Sequence, residues 1–206
     1  LSNQSETIII DYGMGNLRSV EKAVAAVGGH PWITGDPEAV RKAVRLILPG
    51  VGAFGDAMRN LRQNGMDGAI RDAVTAGVPL LGLCLGLQLL FTHSEEFGSH
   101  EGLDLIPGKV LRFSDPGLRV PHIGWNQIEG IQPNPLLKDI SEGSYFYFVH
   151  SYYVEPDREE DILSWTDYGH RFCSIACRDN VWGAQFHPEK SQDIGKKLLH
   201  NFLAIV

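Results

Sequence analysis

Pro79-Leu-Leu-Gly-Leu-Cys-Leu-Gly-Leu-Gln-Leu-Leu90 decides how the rest of the chain is read. It opens as an apolar run of strand type and turns over at Gly82-Leu-Cys84-Leu-Gly86. It then continues with helical spacing through Leu87, Leu90 and Phe91. Cysteine stands where serine stands in the G-x-S-x-G corner that carries nucleophiles. Such a corner holds the side chain on a tight strand-to-helix turn, and the flanking glycines let strand and helix approach without Cβ clashes. Cys84 would face the first N–H groups of the helix, whose partial positive charge favours a thiolate. The same pentapeptide also fits a buried, inert cysteine in an apolar strand.

Working outward, strands and helices alternate on the N-terminal side. Thr7–Ile10 is a short buried strand, and Asp11-Tyr-Gly-Met-Gly-Asn16 a turn. Leu17, Val20, Val24 and Val27 recur at helical spacing until Gly28-Gly29. His30–Ile33 is a second strand, and Asp36-Pro37 reads as an N-cap followed by Pro at the first helical position. Arg45–Leu48 is a third strand, running into the glycine-rich Pro49-Gly-Val-Gly-Ala-Phe-Gly55. Helices are expected around Ala57–Gln63 and Asp67–Ala76. This alternation predicts an open, mostly parallel, flavodoxin-like α/β sheet flanked by helices. In such sheets the ligand crevice lies beyond the carboxyl ends of the strands. The 11–16 turn, the 49–55 loop and the Cys84 corner would share that edge.

Beyond Ser94 the pattern becomes β-rich. Strands are expected at Lys109–Phe113, His122–Ile131, Tyr145–Val154, Ile162–Thr166, Phe172–Cys177 and Trp182–Phe186. Ser191 is expected to cap a last helix with Ile194, Leu198 and Phe202 on its apolar face. No repeat or linker interrupts the chain, so residues 1–206 read as one domain, with 1–6 a flexible N-terminus.

The formal charge of −7 argues against nucleic acid as a partner. No apolar run approaches the roughly 18–20 residues of a membrane span. Leu1–Glu6 lacks the basic and apolar regions of a secretory leader, and the three cysteines are too sparse for a disulfide framework. A cytoplasmic location is therefore expected. Cys173 and Cys177 are spaced four apart without a matching His/Cys group, so they read as strand filler and no metal site is expected.

A thiol nucleophile needs a base and a group to orient that base. Gln185-Phe-His187-Pro-Glu189-Lys190-Ser191 supplies both at another strand-to-helix junction: Glu189 can hold the imidazole of His187. His150 and His122 are rival bases, and spacing alone does not bring His187 to Cys84. Acyl transfer also needs N–H donors for an oxyanion. Pro49-Gly-Val-Gly52 can present them from Val51 or Gly52, with the Leu85 N–H as a second donor. The loop lacks the Lys-Ser/Thr of a phosphate-binding P-loop.

Together, Gly82-Leu-Cys-Leu-Gly-Leu-Gln88, Pro49-Gly-Val-Gly52 and His187-Pro-Glu189 resemble the triad-type, class I glutamine amidotransferases. Asp11–Val20, Pro49–Gly55, His122-Ile-Gly-Trp-Asn126 and Tyr147-Phe-Val-His-Ser-Tyr152 resemble one branch, the glutaminase subunits of imidazole glycerol phosphate synthases. The resemblance spans nearly the whole chain, in the family's order and spacing. It implies a cofactor-free hydrolysis of glutamine by Cys84, His187 and Glu189. Gln88, Glu96, Ser151 and Tyr152 match positions that hold glutamine. It also implies a (β/α)8-barrel cyclase subunit that receives the ammonia, with a docking face including Asn16, Arg18, Ile123, Trp125, Asn126 and Lys190. The family's glutaminase is weak until the synthase site fills, and Gly50 and Gly52 would permit a backbone turn in the 49–52 strand. Two other readings fit part of the pattern: a free-standing Cys-His-Glu hydrolase, and an idle flavodoxin-like binding module.

Overall fold

The computed structural model describes residues 6–205. Buried apolar runs form the sheet centre: β1 (Glu6–Ile10), β3 (Arg45–Leu48), β4 (Leu80–Leu83) and, far along the chain, β13 (Val181–Ala184). These four lie side by side and parallel in that order, with β2 (His30–Thr34) outside β1. Their side chains alternate between two cores, as a period of two requires. Ile8, Ile10, Leu46, Leu48 and Leu80 face one; Ile9, Ile47, Leu81 and Leu83 face the other. Helices α2 (Pro37–Arg41), α3 (Phe54–Gln63) and α4 (Met66–Thr75) cover the first core. Helix α1 (Leu17–Ala26) and the last helix, α6 (Gln192–Leu203), cover the second. The expected start of α2 is present: Asp36 accepts from the Glu38 N–H at 2.9 Å, with Pro37 in the first turn.

The β-rich half extends the same sheet. Beyond β13 come β12 (His170–Arg178), β10 (Tyr152–Pro156), β7 (Ile106–Arg112), β5 (Phe91–Ser94) and β6 (His100–Glu101), while β11 (Ile162–Tyr168) pairs along β12. The β12–β13, β10–β12 and β7–β10 pairs are antiparallel, and β5–β7 is parallel. Strands β8 (His122–Gln127) and β9 (Tyr145–His150) form a separate antiparallel ribbon.

Several expectations need correction. Tyr145–Val154 is not one strand: it breaks at Ser151, with β9 in the ribbon and β10 in the main sheet. The helix after Cys84, α5 (Leu85–Leu89), is short, so Phe91 begins β5 rather than continuing a helical face. The strand from His122 stops at Gln127, short of Ile131. Ser191 precedes α6 but its hydroxyl does not cap it. That hydroxyl donates to the His187 carbonyl at 2.6 Å and accepts from the Tyr147 N–H at 3.0 Å, clipping β9 to the turn before the helix. Residues 1–5 of the expected flexible segment lie outside the described residues, and Glu6 pairs with His30 in β1. Among the described residues no helix is long and apolar enough to cross a membrane.

Candidate active site

Sheet order assembles the site. Ala184 of β13 lies in register with Leu83 of β4, and the Cys84 N–H bonds to the Ala184 carbonyl at 2.8 Å. Cys84 and His187, about a hundred residues apart in sequence, thus leave adjacent strands at the same edge. The 49–55 loop leaves β3, on the other side of β4.

Cys84 occupies φ 54°, ψ −110°, a backbone conformation that L residues rarely adopt. The surrounding glycines make the corner feasible. A Cβ on Gly82 would stand 2.6 Å from the Gly86 carbonyl oxygen, and one on Gly86 would overlap the Leu48 carbonyl. At Gly183 on β13 a Cβ would meet the tip of the Leu87 side chain, a softer constraint than the backbone contacts at Gly82 and Gly86. The cysteine is 6% exposed, and its sulfur lies 3.8 Å from the Val149 carbonyl and 3.9 Å from the Gln185 amide nitrogen.

His187 and Glu189 form a buried pair, Nδ1 to Oε1 at 2.8 Å, with side chains 5% and 2% exposed. Nε2 is buried without a hydrogen bond of regular geometry. Burial opposes charge on this ring, but interaction with Cys84 and then with Glu189 outweighs it and pushes the imidazole up to about 9. An oriented imidazolium with its second nitrogen held for the sulfur is what a thiolate nucleophile requires; such contacts are commonly loose until a substrate tightens them. The rival histidines are otherwise occupied. His122 and His150 bond to each other at 3.0 Å, and burial pushes them down to about 4 and about 3.

A cavity of about 420 Å³ opens in front of the sulfur. Val51, Gly52, Leu85, Gln88, Glu96, Ser151, Tyr152 and His187 all line it, so the residues expected at the glutamine pocket and oxyanion site converge. Gln88 is buried rather than solvated: Nε2 donates to the Tyr152 carbonyl at 3.0 Å and to Gln185 Oε1 at 3.2 Å. Glu96 lies in the turn between β5 and β6 but is withdrawn from solvent. It is 8% exposed and accepts the Phe54 N–H at 2.6 Å; burial raises its pKa, partly offset by that bond. Leu85 opens α5, where the first-turn N–H groups have no intrahelical partner. Gly52 sits at φ +102°, a position that favours glycine. Gly50 has a different constraint: a Cβ would meet Tyr12 Oη at 2.7 Å and Leu85 Cβ at 2.9 Å. Tyr12 itself donates to the Pro49 carbonyl at 2.9 Å, tying the loop down from beneath.

The residues expected to dock a partner surround this edge. Ile123 (60% exposed) and Trp125 (46%) project from β8. The Trp125 ring meets Tyr147 edge-on at 6.1 Å, and Lys190 Nζ lies 5.9 Å over Tyr147. Asn16 is exposed beside the loop, near Glu189. Arg18 is exposed and pairs with Glu21. Asn126 instead turns inward to the Asp167 carbonyl and His122. Three site residues escaped the sequence reading: Gln185, Val149 and Tyr12. Gln185 begins the quoted Gln185–Ser191 stretch, but its contact with Gln88 exists only once β13 lies beside β4. Cys173 and Cys177 lie in β12, their thiols pushed up by burial, away from this chemistry.

The model of the glutamine amidotransferase class-I family matches residues 8–206. The imidazole glycerol phosphate synthase subunit HisH of Syntrophotalea carbinolica is 52% identical over 203 residues, 95% of this chain and 98% of that one. The HisH subunit of Salinibacter ruber is 51% identical over 205 residues, 97% of this chain and 94% of that one. Among solved structures, PurLQS from Thermotoga maritima superposes with a TM-score of 0.75 at 18% identity, covering 98% of each chain. A solved glutamine amidotransferase superposes with a TM-score of 0.71 at 18% identity, covering 97% of this chain and 99% of that one. At such identity these structures bear on the fold, which they share. With the family model spanning the sheet and the site, and two HisH sequences half identical over nearly their full length, the chain belongs to the class I glutamine amidotransferases, in the HisH branch of imidazole glycerol phosphate synthase subunits.

Proposed function

We propose that this chain is a single, cytoplasmic amidotransferase domain that hydrolyses glutamine and passes the ammonia to a cyclase subunit with a (β/α)8 barrel. The observation that carries the reading is the buried His187–Glu189 pair at the end of the strand beside the one bearing Cys84. The Cys84 thiolate attacks the side-chain amide carbon. The carbonyl oxygen takes negative charge and is met by the Leu85 N–H and by an N–H from Val51 or Gly52. His187 gives its proton to the departing ammonia, leaving a thioester. The neutral ring then takes a proton from water, hydroxide adds to the thioester, and glutamate leaves with Cys84 restored. Glu189 holds the ring throughout. Gln88, Glu96, Ser151 and Tyr152 hold glutamine. The chemistry needs neither metal nor cofactor.

Asn16, Arg18, Ile123, Trp125 and Lys190 form the face for the cyclase, which makes imidazole glycerol phosphate and an aminoimidazole carboxamide ribonucleotide in histidine biosynthesis; Asn126, turned inward to His122 and the Asp167 carbonyl, is not offered to it. A turn of the 49–52 segment, which is loop beyond the end of β3, is a means of coupling the two sites. Gly50 packs against Tyr12 and Leu85, so any side chain there would disturb the corner as well as the turn.

The test is glutaminase activity of the chain alone and then with the cyclase subunit and its nucleotide ligand. Low activity alone that rises steeply on addition, and vanishes in Cys84→Ala, is expected. High activity alone would favour a free-standing hydrolase. No activity in either state, with Cys84 inert to alkylation, would favour a binding module.

A further inference from the structure

Two buried histidines have no role in the proposed chemistry: His150 forms part of the wall of the glutamine pocket, and His122 is bonded to it from behind. His122 on β8 and His150 on β9 are cross-strand partners, 3% and 6% exposed. Aromatic rings enclose them. His122 stacks on Tyr168 at 4.0 Å and on Phe148 at 5.0 Å, while His150 packs on Phe172 at 5.2 Å and Phe113 at 5.4 Å. Burial in this cage holds both rings neutral, with values pushed down to about 4 and about 3.

Neutral rings donate at one nitrogen and accept at the other, and the two ends of this chain settle which. At the outer end stands Asn126. Its amide is oriented by two other bonds: Nδ2 donates to the Asp167 carbonyl at 2.9 Å, and Oδ1 accepts the Gln127 N–H at 2.8 Å. Its nitrogen therefore faces His122 Nε2, at 3.3 Å, and that ring nitrogen accepts. The His122 proton is then on Nδ1, which donates to His150 Nε2 at 3.0 Å. The His150 proton is likewise on Nδ1, and at 2.8 Å it meets the Tyr152 carbonyl, which only accepts. That same oxygen accepts Gln88 Nε2 at 3.0 Å, and the second Gln88 amide proton goes to Gln185 Oε1 at 3.2 Å. Both protons on the Gln88 nitrogen are used, so Gln88 offers the pocket only its oxygen.

We propose that His122 and His150 are positioning residues that clamp the Tyr152 carbonyl and thereby hold Gln88 with its amide oxygen toward the pocket. The pocket is thus tuned for the N–H-donating groups of glutamine. This rests on the glutaminase reading. The donation runs one way, from Asn126 through two rings and a backbone carbonyl, and each group in it has a single allowed proton position. Leucine at position 150 removes the donor to Tyr152 and leaves the His122 Nδ1–H facing apolar surface. Asparagine at 150 keeps a donor near the position of Nδ1.

The experiment has two parts. Nitrogen-15 NMR of histidine-labelled protein reads the tautomers directly; Nδ1–H on both rings is expected, and Nε2–H on either overturns the proposal whatever the activity. Steady-state kinetics, with the cyclase subunit present, then compare the parent, His150→Leu and His150→Asn. His150→Leu is expected to raise KM for glutamine about tenfold while kcat falls less than about threefold, and His150→Asn to restore KM to within about threefold of the parent. An unchanged KM in His150→Leu, or a His150→Asn variant as impaired as His150→Leu, overturns it. A parent without glutaminase activity defeats the functional reading instead, and the tautomers still decide the geometry. If His150→Leu does not fold, His150→Asn and the NMR measurement decide: parental-like KM with Nδ1–H rings supports the clamp, and a KM raised as far as tenfold overturns it.

Discussion

A single residue, Cys84, concentrates the cost of the site. Its φ of 54° is held by neighbours without Cβ atoms and by an N–H bond to Ala184, so the corner is over-determined from both sides. The base beside it is just as constrained. Because Glu189 is one of the groups that raise His187, Glu189→Gln is expected to lower the His187 pKa from about 9. It is also expected to reduce glutaminase kcat by roughly a hundredfold or more. An NMR titration of the ring and steady-state kinetics check the two effects, and a parental pKa would remove Glu189 from its orienting role. The histidine pair behind the pocket sets an opposite pH dependence. Both rings bind a proton less readily folded than unfolded, where 6.5 is usual. Their contribution to stability is thus complete above about pH 6.5 and is lost as pH falls toward 4 and then 3. Urea midpoints measured from pH 7 to pH 4 are expected to fall less steeply in a His122→Asn/His150→Asn double variant than in the parent. At this scale the residue types were legible, since thiol, imidazole and carboxylate sit in recognisable turns. Their partnership was not, because only the β4–β13 register joins them. The burial of Glu96 was also invisible, because it follows a second glutamate in a polar stretch, and that of Gln88 because one polar side chain on a short helix can face either solvent or core.

At the scale of elements, the strand-to-helix corner behaves as one unit. Gly86→Ala would drive a methyl into the Leu48 carbonyl, and the backbone of β4 or α5 has to shift to admit it. A loss of at least about 2 kcal/mol is expected, read as a lower urea midpoint at an unchanged m-value. A variant of parental stability would mean that the corner is more pliant than its packing indicates. Elements built on buried apolar runs, such as β1, β3 and β4, were plain in the sequence because both faces of each are covered. Two boundaries were hidden for physical reasons. Leu87 and Leu90 keep helical spacing although the chain has already left the helix at Leu89, since Leu90 and Phe91 are buried in strand context as well. Tyr145–Val154 reads as continuous because strand-favouring aromatic and apolar residues run on both sides of Ser151; what changes there is the sheet to which the strand belongs. Ser191 sits where a cap belongs, yet its hydroxyl serves β9 and His187, a demand that only the tertiary fold creates.

For the whole molecule, one long sheet places five parallel carboxyl ends in a row and leaves the β8–β9 ribbon beside them. The ribbon exposes Ile123 and Trp125, large apolar groups with Tyr147 and Lys190 at their side. Trp125→Ala is expected to weaken binding of the cyclase subunit about tenfold or more, with unfolding free energy changed by less than about 1 kcal/mol. Calorimetric titration checks the first and urea unfolding the second; parental affinity would move the docking face elsewhere. The net charge of −7 gives little guidance on this face, whose exposed residues are aromatic, aliphatic and basic.

The break at Ser151 has one more consequence. The chain passes from ribbon to main sheet through a single residue, and that residue and the next line the pocket. Whatever leans on the ribbon therefore works a short lever whose fulcrum is backbone in the wall of that cavity. Free energy on the two arms must balance: if a filled pocket shifts the ribbon, the affinity of its partner changes by a given factor, and the pocket's own affinity changes by that same factor when the partner binds.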